Sequence, residues 1–285
     1  MDAILRSLID GLLLGFVYGI AAMGLTLIWG VMNVINLSHG SLIALGMFSV
    51  YFLFTGLGIH PYLAIVFTAV MGLLLGMLIY AIAVHRVINA PHLSTLLATY
   101  AVNMIILGVG TAAFTTSPYN VDFDLGSVKI ASAVVPTTRL IAALVAMLVA
   151  GGLYLFLKYS RLGRYIRAVT DNRDAAEIVG VPSSQILAFS FGLGTMLAAI
   201  SGGLIATFFP FTILAGSAYE LKSFVIGVLG GLGNAVGSLF GGLILGVIEG
   251  LVPMAMPTTW TPVLEFVLFV LILLVRPTGL FGGNE

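Results

Sequence analysis

Residues 158–182 read KYSRLGRYIRAVTDNRDAAEIVGVP, a charged segment set between two long apolar runs. Lys158, Arg161, Arg164, Arg167 and Arg173 concentrate five of the chain's 11 basic residues in this one place. Asp171, Asp174 and Glu177 are interleaved with them or follow, so the segment is amphoteric. The runs on either side are long enough to span a bilayer, and a loop dense in Lys and Arg between two spans is held on the cytoplasmic side. It is also longer than a plain connection needs. Asp171-Asn172 supplies N-cap residues ahead of Arg173-Asp174-Ala175-Ala176-Glu177, which predicts a short helix, and Gly180 and Pro182 stop it. One reading is a solvated loop whose arginines only set topology. The other is a rigid, capped handle for a soluble partner.

Working outward, the composition names the class. Hydrophobic residues make up 60% of the 285 and charged residues 8%, whereas soluble domains carry about 25% charged residues. Net charge is zero, which argues against nucleic acid as a partner. There is no cysteine, so disulfides, thiol catalysis and thiolate metal sites are excluded. The first apolar run follows only Arg6 and lacks a cleavage pattern, so it reads as a first span and not as a signal peptide.

Apolar runs near 11–30, 61–84, 93–116, 139–158, 186–209 and 262–276 read as membrane helices. Two segments are less regular. Residues 39–57 follow a polar, helix-weak run from Asn33 to Gly40, and 222–251 are too long for one span and rich in glycine. The fold class is therefore an all-α polytopic membrane protein of about eight spans, one or two of them broken or re-entrant. The weakly acidic 117–138 loop fits the outside, and His85, Arg86 and His92 an inner loop. Arg276 asks for a cytoplasmic C-terminus, which requires 222–251 to be a hairpin of two short helices. The N-terminus then lies outside if 39–57 crosses fully and inside if that segment is re-entrant. Irregular regions in both halves of the chain point to an internally repeated transporter core.

Within these helices, Gly11, Gly15 and Gly19 share a face, as do Gly233, Gly237 and Gly241. Such spacing lets helix backbones approach in lipid. Together with Gly230 these residues are packing or hinge candidates, the sharper alternative being a mobile or unwound element beside a pathway. Asn33, Asn36, Ser38 and His39, with Thr99 and Asn103 four apart on one helical face, are pathway candidates, the alternative being a structural turn. Glu249 and Glu265 are expected to face protein, water or an interface, because a carboxylate in lipid is costly. Catalysis finds no support. Ser38-His39 are adjacent and point apart, and neither G-x-S-x-G, H-E-x-x-H nor the phosphate-binding G-x-x-x-x-G-K-[ST] occurs. No metal or other cofactor is expected.

Several motifs carry a family resemblance. Arg161-Leu-Gly163-Arg164-Tyr-Ile-Arg167-Ala168, then Asp171-Asn172, Ala175-Ala176 and Gly180-Val181, resemble the coupling loop of branched-chain amino acid ABC transporter permeases. Residues 24–40, GLTLIWGVMNVINLSHG, resemble the family's N-terminal signature, with Leu37-Ser38 where Phe-Ala is expected. Residues 230–242 resemble its glycine-rich signature and Arg276-Pro277-Thr-Gly279-Leu280-Phe281-Gly282 its tail. The resemblance covers nearly the whole chain and is closest to the smaller of two permease paralogues.

It implies a single permease domain over 1–285, with 158–182 as its coupling segment. It further implies a second permease subunit, two cytosolic ATPases that bind the Mg-ATP, and a periplasmic or extracellular binding protein, all at the bacterial inner membrane and in contact with its lipid. Arg161, Gly163, Arg164, Arg167, Asp171, Asn172, Ala176 and Gly180 would then sit in or beside a coupling helix. The resemblance leaves the substrate open between branched-chain amino acids and urea, short amides or small carboxylates. The competing class is an ion-coupled secondary transporter or channel, which would need paired intramembrane acids.

Overall fold

Long apolar stretches with few helix breakers fold here as nine helices long and apolar enough to cross a membrane, counted among the described residues. The computed structural model describes residues 2–130, 133–276 and 278–282. In chain order the helices are α1 (Asp2–Met32), α2 (His39–Leu57), α3 (Pro61–Ile79) with a π-helical extension Tyr80–Val84, α4 (His92–Phe114) and α5 (Thr137–Tyr159). Then come α6 (Arg161–Asp171), α7 (Arg173–Ile178), α8 (Ser183–Ala206), α9 (Gly216–Gly230), α10 (Ala235–Ala255) and α11 (Thr261–Val275). The connection before α5 carries a small antiparallel hairpin of β1 (Ser127–Ile130) and β2 (Ala133–Pro136), with Ser127 opposite Pro136.

Two expectations need adjustment. Residues 39–57 are not themselves irregular: α2 is an unbroken helix, and the irregularity is confined to the polar stretch before it. The glycine-rich 222–251 is indeed a hairpin, α9 and α10, but its first arm begins at Gly216. That start lies among Tyr219, Glu220 and Lys222, residues too polar for a window reading of apolar runs. The count rises from about eight to nine as a result.

Contacts fix which helix ends lie together. Arg139, at the head of α5, reaches Asp10 of α1 at 3.4 Å, so the beginning of α1 shares an end with the 115–136 connection. At the opposite end Arg173 donates to Asn89 (3.2 Å), Gly30 meets Gly233, and the Leu280 amide donates to the Leu229 carbonyl (2.8 Å). The second end thus gathers His85, Arg86, Lys158, the four arginines of α6–α7 and Arg276, and is cytoplasmic by the positive-inside rule. The start of α1 is external and the described C-terminal residues are internal. Pro277 of the tail motif lies outside the described residues.

Helices α1 and α8 are buried along most of their length, while α4 and α11 are largely exposed on the periphery. Glycine makes this possible. A Cβ on Gly15 would stand 2.7 Å from the Gly242 carbonyl oxygen, one on Gly242 2.6 Å from Gly19 Cα, and one on Gly194 2.6 Å from the Gly24 carbonyl oxygen. The two arms of the hairpin touch in the same way: a Cβ on Gly230 would meet Ser238 Cα at 2.5 Å, and one on Gly241 the Ile226 carbonyl at 2.7 Å. Gly231 and Gly233 turn the chain with φ of +88° and +90°, and Asn234 caps α10 through Gly237 N (2.9 Å). Gly230, Gly237 and Gly241 are therefore placed in packing, and Gly233 in the turn between helices.

Gly15→Leu should separate α1 from α10 and destabilise the protein by about 1–3 kcal/mol, the usual cost of overpacking. Thermal unfolding of the detergent-solubilised chain checks this. A melting curve like that of the unmodified protein would show that the seam does not hold the bundle.

Candidate functional site

The chain leaves helical geometry at Asn33, whose φ is +52°. The next residues fold back along α1, so that α2 begins beside the middle of it: His39 Nε2 lies 2.9 Å from the Ala21 carbonyl. Non-helical backbone at membrane depth needs internal partners. They are supplied locally. Asn36 Oδ1 accepts from the Ser38 amide (3.1 Å) and hydroxyl (2.6 Å), and the Ser41 hydroxyl donates to the Ser38 carbonyl (2.9 Å). From α4, the Thr99 hydroxyl accepts from the Leu37 amide (3.2 Å) and lies 3.1 Å from the Ile35 carbonyl.

The second short helix starts at the same level. A Cβ on Gly216, the first residue of α9, would stand 2.6 Å from the Gly40 carbonyl carbon. From there α9 runs only about 22 Å toward the cytoplasm at 1.5 Å per residue, less than the bilayer core. Between this meeting point, α1 and α4 lies a cavity of about 330 Å³, lined by Asn36, Ser217 and Glu220 together with aliphatic and aromatic side chains such as Leu25, Leu96 and Phe224. A smaller recess of about 100 Å³ holds Asn33, His92 and Thr95.

The pathway candidates thus separate. Asn33 borders the smaller recess, and Asn36, itself buried, borders the larger cavity. Ser38, His39 and Thr99 are wholly buried and hold the fold-back in place. Asn103 is half-buried on α4, one turn outward from Thr99, and lines neither cavity. Glu220 and Lys222 were not singled out from the sequence, although an acid and a base two residues apart beside a glycine-rich run was the available signal.

Lys222 explains the two deep glutamates. Its Nζ lies 2.5 Å from Glu249 and 3.3 Å from Glu265, and 4.9 Å above the Tyr18 ring. The Tyr18 hydroxyl donates to Glu249 (3.3 Å). One cation on α9 therefore joins α10, α11 and α1. Both glutamates face protein, as expected; Glu265 is buried, and Glu249 borders an outer cavity of about 540 Å³ that also holds Asp10, Arg139 and Gly250.

At the cytoplasmic end, the charged segment forms two helices where one was expected. Ser160 caps α6 through the Gly163 amide (2.8 Å), and Asn172, not Asp171, caps α7 through the Ala175 amide (2.9 Å). Gly163, Ile166, Val169 and Ala176 are buried against the bundle. A Cβ on Gly163 would stand 2.5 Å from the Leu157 carbonyl oxygen, so glycine is needed for α6 to fold back on α5. Arg164 donates to the Tyr159 carbonyl (3.2 Å) and Arg167 to those of Leu157 and Lys158, satisfying the open end of α5. Gly180, with φ of +87°, ends α7. Arg161 and Asp171 are exposed. Ile178 and Val179 protrude, 86% and 78% exposed.

The family model for "branched-chain amino acid transport system / permease component" matches residues 7–274. The chain belongs to this family. Among curated proteins it is 30% identical to the high-affinity branched-chain amino acid transport system permease protein LivH of Salmonella typhimurium, over 99% of this chain and 96% of the relative. It is 29% identical to BraD of Pseudomonas aeruginosa over the same shares. The ribose import permease protein RbsC of Escherichia coli K12 is 30% identical over 78% of this chain and 68% of its own. No solved structure matches. A permease of this family is a transport subunit of a multi-pass plasma-membrane assembly and works with other subunits.

Lys222→Met should leave two facing carboxylates without their cation and destabilise this permease by about 3 kcal/mol, as when one partner of a buried pair is removed. Adding Glu249→Gln and Glu265→Gln should recover much of the loss. Melting temperatures of the single and triple variants in detergent decide it, and equal values would deny the bridge its role.

Proposed function

We propose that this chain is one of a pair of permease subunits in a binding-protein-dependent importer of branched-chain and other hydrophobic amino acids. ATP split on two cytosolic ATPases drives it, and a binding protein outside delivers the solute. The observation that supports this most is the tip of α7. Ile178 and Val179 stand free in water at the cytoplasmic end, on a helix anchored by Ala176 and stopped by Gly180. Large apolar side chains kept exposed on a rigid, charged mount fit a groove on a soluble partner.

The coupling residues then divide by task. Gly163, Arg164 and Arg167 fasten α6 to the end of α5, Asn172 and Gly180 delimit α7, and Arg161 and Asp171 offer charge around the contact. ATP-driven closure of the ATPase pair would swing this mount and switch the permease pair between inward- and outward-facing states as rigid bodies. The ATP sites belong to the partners. The ribose relative keeps a sugar or another small polar solute as the second reading, and the aliphatic lining of the Asn36–Glu220 cavity favours the first. Engagement of Glu249 and Glu265 by Lys222 weighs against an ion-coupled carrier, whose acids would be free to bind ions.

Ile178→Asp with Val179→Asp should remove ATPase co-purification and ATP-driven leucine uptake while the chain keeps its melting temperature, because neither side chain is packed within it. Uptake and co-purification at the unmodified level would refute the docking role. Arg164→Glu with Arg167→Glu is the weaker test, since it places carboxylates against the carbonyls that close α5.

A further inference from the structure

The end of α5 and the start of α6 carry positive charge that no acid of the described chain neutralises. Lys158, Arg161, Arg164 and Arg167 fall within ten residues and are all exposed, and no acid lies between them and Asp171. Among the described residues no carboxylate forms an ion pair with any of the four, whereas Arg6, Arg139, Arg173 and Lys222 are each met by one. Four such residues directly cytoplasmic of a span are a pattern that anionic lipid answers.

Sidedness requires only the charge, not the frame built around it. Lys158 Nζ lies 5.5 Å from the centre of the Tyr154 ring and 5.3 Å from that of Tyr159, and it donates to the Tyr154 hydroxyl (3.4 Å). Tyr154, Tyr159 and Tyr165 are exposed, as tyrosines at headgroup level are. Arg164 and Arg167 are pinned to the carbonyls that end α5, and each guanidinium keeps further N–H groups for an anion.

An apolar track leads away from this cluster. Leu144, Leu148, Gly151, Leu155 and Lys158 are spaced four and three apart, so they share one face of α5, and all are exposed. A Cβ on Gly151 or Gly152 would meet nothing within 4 Å, so glycine cuts a notch here instead of closing a seam as at Gly15. From Leu144 to Lys158 the track rises about 21 Å at 1.5 Å per residue. That covers the apolar half of one leaflet, about 15 Å.

We propose that this face binds an anionic glycerophospholipid of the cytoplasmic leaflet, its phosphate between Lys158 and the arginines of α6 and an acyl chain along Leu148, Gly151 and Leu155. A soluble partner cannot follow a track that descends to membrane depth, and a headgroup without net charge leaves the four cations unanswered. The site takes the α6 half of the charged segment and leaves the Ile178–Val179 tip free, with Arg161 offering its charge on the bilayer side of that contact. It depends neither on the solute carried nor on the docking role of α7.

The absence of cysteine allows a single thiol to report on it. Leu155→Cys in the full-length chain is labelled with bimane and reconstituted in vesicles that mix phosphatidylglycerol and phosphatidylcholine, one of the two brominated. Quenching gives the relative affinity of the two lipids for that face, and it is expected to favour phosphatidylglycerol several-fold. The same label at Leu271→Cys, exposed on α11 with Arg276 as the nearest basic residue in sequence, should show little preference. Lys158→Gln with Arg161→Gln should bring the first position to the level of the second. Neither side chain bonds the α5 carbonyls, so this variant tests charge and not the fold-back. Equal affinity for the two lipids at Leu155→Cys overturns the proposal. So does the same preference at both labelled positions, which is general attraction to a basic surface, and so does a preference unchanged in the double variant. Quenching by neither lipid overturns it too, because the label then faces protein. The comparison of the two labels needs no change of charge and stands even if the double variant does not fold.

Discussion

Backbone contact through glycine on both sides of α1 is the constraint on which the remaining packing depends. Lipid tails are as apolar as leucine, so the hydrophobic effect does not draw these helices together, and close van der Waals approach must do so. Helix α1 meets α10 at Gly11, Gly15 and Gly19, and meets α8 at Gly24. On its other faces α8 meets α2 and α3 with the same economy of side chain: a Cβ on Gly46 would stand 2.8 Å from Ala199 Cα, and one on Gly72 3.1 Å from Met196 Cα. The buried pair α1–α8 therefore acts as a common spine, and helices with fewer such contacts lie outside it.

A spine this tight leaves polar groups few places to go, and the molecule handles them in two ways. Backbone groups of the non-helical residues after α1 are met by neighbours within the fold-back and by Thr99, which answers the absence of water at that depth. Charges are treated by mutual pairing, with Lys222 serving two glutamates and Arg139 serving Asp10 at the outer end. Glu220 is served differently, its carboxylate lying against the backbone of Gly40 in the first turn of α2.

The cytoplasmic end shows the reverse economy. Helix α6 is tied to α5 by arginine–carbonyl bonds and a glycine contact, and α7 joins α8 through the short link Val179–Pro182. A load on Ile178 and Val179 consequently reaches a helix that itself contacts α1, α2 and α3. A flexible loop of the same composition would dissipate it, so under the proposed docking role the caps at Ser160 and Asn172 bear on function as well as local stability.

Much of this was legible from residue order. Apolar length set the number and place of most helices, because 20-residue windows and bilayer thickness are matched by geometry. Charge asymmetry set the cytoplasmic face, and the parity forced by Arg276 required the hairpin of α9 and α10. The motifs from Arg161 to Gly180 named the family. What the linear order could not yield was which polar residue meets which. Ser38, His39 and Thr99 look the same in sequence as Asn36, and all four serve the fold-back, yet of the four only Asn36 also borders the larger cavity. Glu220 and Lys222 are two residues apart and were passed over together, since a helix sends such neighbours to opposite sides. The sequence alone determined the membrane class, the sidedness and the charged cytoplasmic segment, because these follow from local composition. Only the tertiary structure decided which polar groups meet and which border a cavity, because those partners lie far apart in the chain.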